Sequence, residues 1–431
     1  MLEAITNAIG IEYIALIIIG LTLILFAMDK LPISVTAMIS SLALAIFGVM
    51  DITQVYAGFA STLVMLVLGM MIVGFALFDT GVVVLIGRRI LKSRFAQNEL
   101  TLMIMLMVIS GIMSAFLSNT ATVATFIPLI GALVAASGGK LTNKNLLLPL
   151  GMAASIGGTM TLVGSTAQPM VNSVLEGYEL SQLAMFDFAY VAVPLFIMLV
   201  VYMATIGNKI QKQAFKFDDI VEKHDISSFE DFKPTWRTYV AAGTMIFCII
   251  GFVVGIWDIG IVSLFGAAVV LATGCVDFKK TMKQVDWNTV LLMAFAQGIA
   301  AGMNDSGAGL LIARGAVSLV GDNIWLQFSI CIIITVVLTN IMSNTAVAAM
   351  MAPIYIVIAI NLGYDPLVFA MGIAVAANAS IATPIGGTAM SQVLVGGYSF
   401  KDYLKVGAPI TAIMTVVIII LTPLIFGFNK L

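Results

Sequence analysis

Twelve apolar runs, near residues 13–28, 33–49, 58–78, 101–136, 145–163, 186–206, 238–256, 259–274, 288–304, 324–360, 366–382 and 405–427, constrain this chain more than any single motif. A helix spans the hydrocarbon of a bilayer with roughly 20 apolar residues. Here 61% of the residues are hydrophobic and 10% charged, more apolar surface than a water-soluble chain can bury. In lipid every backbone N–H and C=O must be satisfied inside the protein, and the runs have helical length without the alternation of barrel strands. The expectation is therefore an all-α integral membrane protein whose first partner is the lipid bilayer. The formal net charge of −2 sits in loops without a basic block, so nucleic acid is not an expected partner. Cys248, Cys275 and Cys331 stand at no metal-ligand spacing and read as packing residues.

The runs contain a duplication. Ser118-Asn119-Thr120-Ala121 with Pro128 matches Ser343-Asn344-Thr345-Ala346 with Pro353 at a shift of 225. Asp51, Asp79, Gly81 and Arg88 match Asp277, Asp305, Gly307 and Arg314 at 226, and Thr161, Gly164, Thr166 and Ala167 match Thr383, Gly386, Thr388 and Ala389 at 222. Two repeats follow, 1–207 and 237–431, joined by a polar linker, 208–236, that holds the sole histidine, His224. Each repeat has three spans, a long stretch split by Ser-Asn-Thr (101–136 or 324–360), a span broken at glycine (145–175 or 366–395), and a last span.

Each split stretch would make about 55 Å of continuous helix, nearly twice the hydrocarbon thickness. A re-entrant hairpin fits better, turning at the Ser-Asn-Thr tip. That leaves five crossings per repeat, and an odd number inverts the second repeat. With about ten full crossings and the N-terminus outside, 18 of the 20 Lys and Arg residues fall inside, with Arg314 and Lys430 the exceptions. The fold expected is an inverted-repeat secondary transporter with two re-entrant hairpins and two broken helices, whose solute site lies where the interrupted helices meet.

A helix starting after each tip aims free N–H groups and its positive dipole end at that centre, where Asn and Thr add donors for an anion. None of the four interruptions contains Lys, Arg or His, so a bound cation, sodium being the simplest, is the natural companion of a divalent anion. Ser114, Ser118 and Asn119 in the first half, and Thr339 with Asn344 in the second, make oxygen-rich niches that the Gly164 and Gly386 carbonyls complete. Gly157 and Gly158 read as close helix packing, and Asp79 and Asp305 as helix caps. No acid, base, nucleophile or metal set lies within the spans, so no enzyme and no organic cofactor is expected. A channel would show a polar ring or filter.

The paired tips FLSNTATVATFIP and IMSNTAVAAMMAP, with IGGTMTLVGSTAQ and ASIATPIGGTAMSQ, resemble the divalent anion:sodium symporter family over nearly the whole chain, in particular its bacterial sulfate and dicarboxylate permeases. The resemblance implies a homodimer in a bacterial-type inner membrane, with a transport domain moving as an elevator against fixed helices. It places substrate on Asn119, Thr120, Asn344 and Thr345, with the breaks adding Ser165, Thr166, Gly387 and Thr388. It implies sodium ligands Ser114, Ser118, Asn119 and Gly164 in one half, and Thr339, Met342, Asn344 and Gly386 in the other. The family's usual Thr-Pro-Pro-Asn is Ser165-Thr166-Ala167-Gln168 and Gly387-Thr388-Ala389-Met390 here. The expected activity is sodium-coupled symport of a C4-type dicarboxylate, with sulfate or another oxyanion, or sodium-independent exchange, as alternatives.

Overall fold

The computed structural model describes residues 10–28, 30–91, 98–219 and 232–431. Lys92, Arg94, Lys223 and His224 lie outside them. Among the described residues the regular structure is helical, apart from one isolated bridge between Tyr364 and Lys430. The first half runs through α1 (Ile11–Met28), α2 (Ile33–Ile46), α3 (Ile52–Ala57), α4 (Thr62–Asp79), α5 (Val82–Leu91), α6 (Glu99–Ser114), α7 (Asn119–Ala136), α8 (Asn143–Gly157), α9 (Ala167–Gly177), α10 (Ala189–Tyr202) and α11 (Asn208–Ala214). The second runs through α12 (Trp236–Val254), α13 (Ile259–Ala272), α14 (Phe278–Gln284), α15 (Trp287–Asp305), α16 (Ala308–Val320), α17 (Ile324–Thr339), α18 (Asn344–Asn361), α19 (Leu367–Ala377), α20 (Thr388–Gln392) and α21 (Phe400–Phe426).

Among the described residues, six helical stretches are long and apolar enough to cross a bilayer unaided, and a seventh arises if α16 and α17, bent by 101°, count as one. The ten crossings expected from the sequence also take in the 14-residue α2 and α13, the 19-residue α15 and the two interrupted helices, while one of the six, α18, is a hairpin arm. Outward faces carry rows such as Ile17, Leu21 and Ile24 on α1 and Ile246, Ile250 and Val253 on α12. Such rows suit lipid and not water. Small residues let the two halves approach closely: a Cβ on Gly69 of α4 would fall 2.6 Å from the Ser263 backbone of α13. Residues 208–214, expected in the linker, instead prolong α10 through a π turn at Met203–Gly207, and the helix ends only at Ala214.

Both split stretches turn back on themselves. Four residues separate α6 from α7, and the stretch begins and ends at one place: Glu99 accepts from the Thr142 backbone N–H (3.1 Å), the Thr142 hydroxyl (2.7 Å) and the Asn145 amide (3.1 Å). In the second half the Trp325 ring at the start of α17 and the Tyr364 ring just after α18 both pack on Phe428, with centroids 5.0 and 6.3 Å away. Within each tip a serine caps the returning helix. Ser118 accepts from Ala121 N–H and Ser343 from Ala346 N–H, each at 3.3 Å.

The expectation for Asp79 and Asp305 is corrected. Each is the last residue of its helix, where a carboxylate opposes the dipole and cannot serve as an N-cap. Each instead reaches across to the other half: Asp79 pairs with Lys280 of α14 (2.9 Å) and Asp305 accepts from Gln54 of α3 (2.8 Å). Gln54 and Lys280 are themselves related by the shift of 226, so the repeat symmetry extends to these contacts.

Candidate functional site

Both tips and both breaks line one cavity of about 540 Å³, within the usual size for a small-molecule site. Ser118, Asn119 and Thr120, Gly164 to Thr166, Ser343 to Thr345, and Gly386 to Thr388 all line it, together with Val67, Met70, Gly74 and Phe78 of α4. Among the described residues its lining holds no Lys, Arg or His; Asp286, exposed and capping α15 through Thr289, is the single ionisable one of them there.

The breaks come from local sequence. The helical ladder of α8 stops at Gly157, a 3-10 turn runs from Gly158 to Met160, and Thr161 is extended. The Thr161 hydroxyl donates to the Ala115 carbonyl freed at the first tip. Thr383 repeats this in the second half, donating to the Asn340 carbonyl at 2.5 Å. Each break is thereby tied to the tip of its own half. Across the cavity the halves are tied reciprocally, with Thr120 against Thr388 (hydroxyls 2.6 Å apart) and Thr166 against Thr345.

The niches behind the tips are built almost wholly of oxygen. One terminal atom of the Asn119 amide lies 2.6 Å from the Ser114 hydroxyl, 3.0 Å from the Gly164 carbonyl and 3.1 Å from the Ala154 carbonyl. In the second half one terminal atom of the Asn344 amide lies 2.9 Å from both the Gly386 carbonyl and the Ser380 hydroxyl, 3.0 Å from the Thr339 hydroxyl and 3.1 Å from the Ala377 carbonyl. An amide nitrogen at either point donates to these groups; an amide oxygen there completes a cage of acceptors that suits a hard cation. The donor set therefore fits sodium. The space is also exclusive: a Cβ on Gly386 would fall 1.8 Å from the Thr339 carbonyl oxygen, and one on Gly158 2.0 Å from the Asn119 side-chain oxygen.

Of the residues named from sequence, Ser114, Asn119, Gly164, Thr339, Asn344 and Gly386 meet in the two niches, while Thr120, Ser165, Thr166, Thr345, Gly387 and Thr388 face the cavity. The Ser118 hydroxyl is engaged as a helix cap. The Met342 carbonyl is not among the atoms around the Asn344 amide, and the Met342 N–H donates to Leu338. Gly158, read as packing, touches the first niche, whereas Gly157 does pack against Gly111 of α6. Sequence reasoning missed Ala154 and Ala377, on the helix ahead of each break, and Ser380, in the second break itself; Ala154 and Ala377 take part only through backbone carbonyls, which leave no mark in a side-chain pattern.

Comparison with known proteins agrees with this architecture. An uncharacterized transporter of Haemophilus influenzae is 28% identical over 92% of this chain and 88% of its own length. The sodium-dependent dicarboxylate transporter SdcS of Staphylococcus saprophyticus is 22% identical over 93% of this chain and 84% of its own. The crystal structure of the Alcanivorax borkumensis YdaH transporter, described as having an unusual topology, shares the fold at a TM-score of 0.63 and 14% identity, covering 97% of this chain and 98% of that one. The family model of the citrate transporters (CitMHS) matches residues 23–354 and 245–431, and the chain belongs to that family of membrane transport proteins.

Proposed function

We propose that this transporter is a sodium-coupled carrier of a small divalent anion, with a C4-type dicarboxylate as substrate. The observation that carries the reading is the pair of helix N-termini, at Asn119 and Asn344, lining one cavity with no cationic side chain among the described residues, each backed by a niche of acceptors. A helix N-terminus favours an anion by about 0.3–1 kcal/mol, up to ~2 kcal/mol when sheltered. Two such ends with hydroxyl donors orient two carboxylates but leave the desolvation of a dianion only partly offset. Sodium in the niches supplies the missing positive charge.

Asn119, Thr120, Asn344 and Thr345 hold the substrate, with Ser165, Thr166, Gly387 and Thr388 closing the pocket from the breaks. Sodium is held by Ser114, Asn119 and the Gly164 carbonyl, and by Thr339, Asn344 and the Gly386 carbonyl. The relatives named as sodium-dependent dicarboxylate transporters support this choice at low identity. A bacterial-type inner membrane, an outside N-terminus, a homodimer and elevator motion belong to the same reading. For the elevator motion, the support is that one cavity is lined both by the tips and breaks and by α4. Repeats at 1–207 and 237–431 are the units of the inversion.

Uptake of labelled succinate into proteoliposomes, with and without an inward sodium gradient, tests it. Sodium-dependent accumulation is expected. Uptake that ignores sodium but needs a dicarboxylate inside would identify an exchanger, and uptake of sulfate or citrate in place of succinate would reassign the substrate.

A further inference from the structure

Behind the cavity lies a buried pair of amides with no counterpart in the repeat symmetry. Gln168, at the start of α9, and Asn378, just after α19, are both fully buried. At the shift of 222 their mates are Met390 and Ile156, so this polar bridge exists once, not twice.

The hydrogen bonds fix each amide in turn. The Gln168 nitrogen donates to the Gly158 carbonyl (2.9 Å) and the Thr161 carbonyl (3.2 Å), which leaves its oxygen toward Asn378. The Asn378 nitrogen donates to that oxygen (3.1 Å) and to the Ala374 carbonyl (2.9 Å). The Asn378 oxygen is thus left to accept, from the Ser165 hydroxyl at 2.5 Å and the Asn344 amide nitrogen at 3.2 Å. With its nitrogen on Asn378, Asn344 turns its own oxygen into the niche, 2.9 and 3.1 Å from the Gly386 and Ala377 carbonyl oxygens, a cluster of acceptors that a cation reconciles. The opposite orientation lets the Asn344 nitrogen donate to Gly386, Ser380, Thr339 and Ala377 and sets the Asn344 and Asn378 oxygens against each other, so it suits the niche without a cation. Gly158, where the relay begins, borders the first niche beside Asn119 and Gly164.

We infer that Gln168 and Asn378 are positioning residues that hold the Asn344 amide with its oxygen inward around a bound cation, so that the second niche favours that cation and is linked to the first. The inference deepens the sodium-coupled reading and rests on it. Neither residue touches substrate in this account.

The test is a sodium titration, at constant ionic strength, of the melting temperature of the purified transporter, repeated for Gln168→Met and Asn378→Leu and paired with sodium-dependent uptake. The wild type is expected to be stabilised by sodium. In Gln168→Met the half-saturating sodium concentration should rise about tenfold, the loss of roughly one buried hydrogen bond's orientation, and in Asn378→Leu it should rise further. In Gln168→Met, which touches none of the substrate residues, substrate KM at saturating sodium should stay within about twofold. A lower melting temperature with an unmoved sodium midpoint in both variants would mark a merely structural pair and overturn the inference. A wild type that sodium does not stabilise, and that transports without it, would overturn the sodium reading first and the inference with it.

Discussion

The side-chain hydroxyls of Thr120 and Thr388 lie 2.6 Å apart, joining the tip of the first half to the break of the second. Thr166 and Thr345 make the mirror contact, from the first break to the second tip. The two pairs exchange under the shifts of 225 and 222 that relate the repeats. A hydroxyl bonded to another hydroxyl still has a lone pair or a proton to offer, so each pair presents a ready donor to an entering carboxylate.

Replacing Thr120 and Thr388 together by valine keeps the shape and removes that donor. A hydrogen bond to a charged group contributes about 1.5–3 kcal/mol, so KM for the dianion should rise roughly ten- to a hundredfold in the double variant. Membrane insertion and melting temperature should hardly change. Wild-type KM in the double variant would place the substrate elsewhere.

Gly386 and Gly158 are required for room. An alanine Cβ at Gly386 would sit 1.8 Å from a backbone oxygen of Thr339, which cannot swing away as a side chain does. Gly386→Ala should therefore spread the niche and cost about 1–3 kcal/mol of stability, read as a lower melting temperature with loss of its sodium response. At Gly315, where a Cβ meets open space, Gly315→Ala should leave both unchanged.

Protons should not replace sodium. The residues of both niches are Ser, Thr, Asn, Ala and Gly, none of which titrates between about pH 5 and pH 9. Uptake of a fully ionised substrate should be flat between about pH 6 and pH 8, and an inward proton gradient without sodium should drive none. Proton-driven accumulation would show that a carboxylate outside the niches, such as Asp286 in the cavity lining, takes part.

What the sequence made legible is what it says twice. Ser-Asn-Thr and the glycine breaks stand out because each recurs at a fixed shift, and the structure brings all four to one cavity. Gln168 and Asn378 escaped because their mates, Met390 and Ile156, are apolar, so no duplication flags them. Asp79 and Asp305 did recur, yet their role was misread: local spacing suggested a cap, and only tertiary placement brings Lys280 and Gln54 within reach. Ala154 and Ala377 act through main-chain oxygens, which any residue supplies, so their identity holds no signal.

The hairpins themselves can be tested by labelling from one face of the membrane at a time. Glu99 holds Thr142 and Asn145, so the two ends of the 101–136 stretch cannot lie on opposite faces; Trp325 and Tyr364, sharing Phe428, impose the same condition on 324–360. The native Cys248, Cys275 and Cys331 are buried, which keeps the background of an impermeant maleimide low. Single cysteines at the exposed positions Asn98 and Lys140 should label from one face, and those at Asp322 and Asn361 from the other, because inversion puts the second hairpin on the opposite side. Asn98→Cys gives up a helix cap at a cost of about 1 kcal/mol, small enough to leave the fold intact. Asn98 and Lys140 labelling from opposite faces would turn the first hairpin into a crossing, reverse every later span, and separate the two tips that form the site.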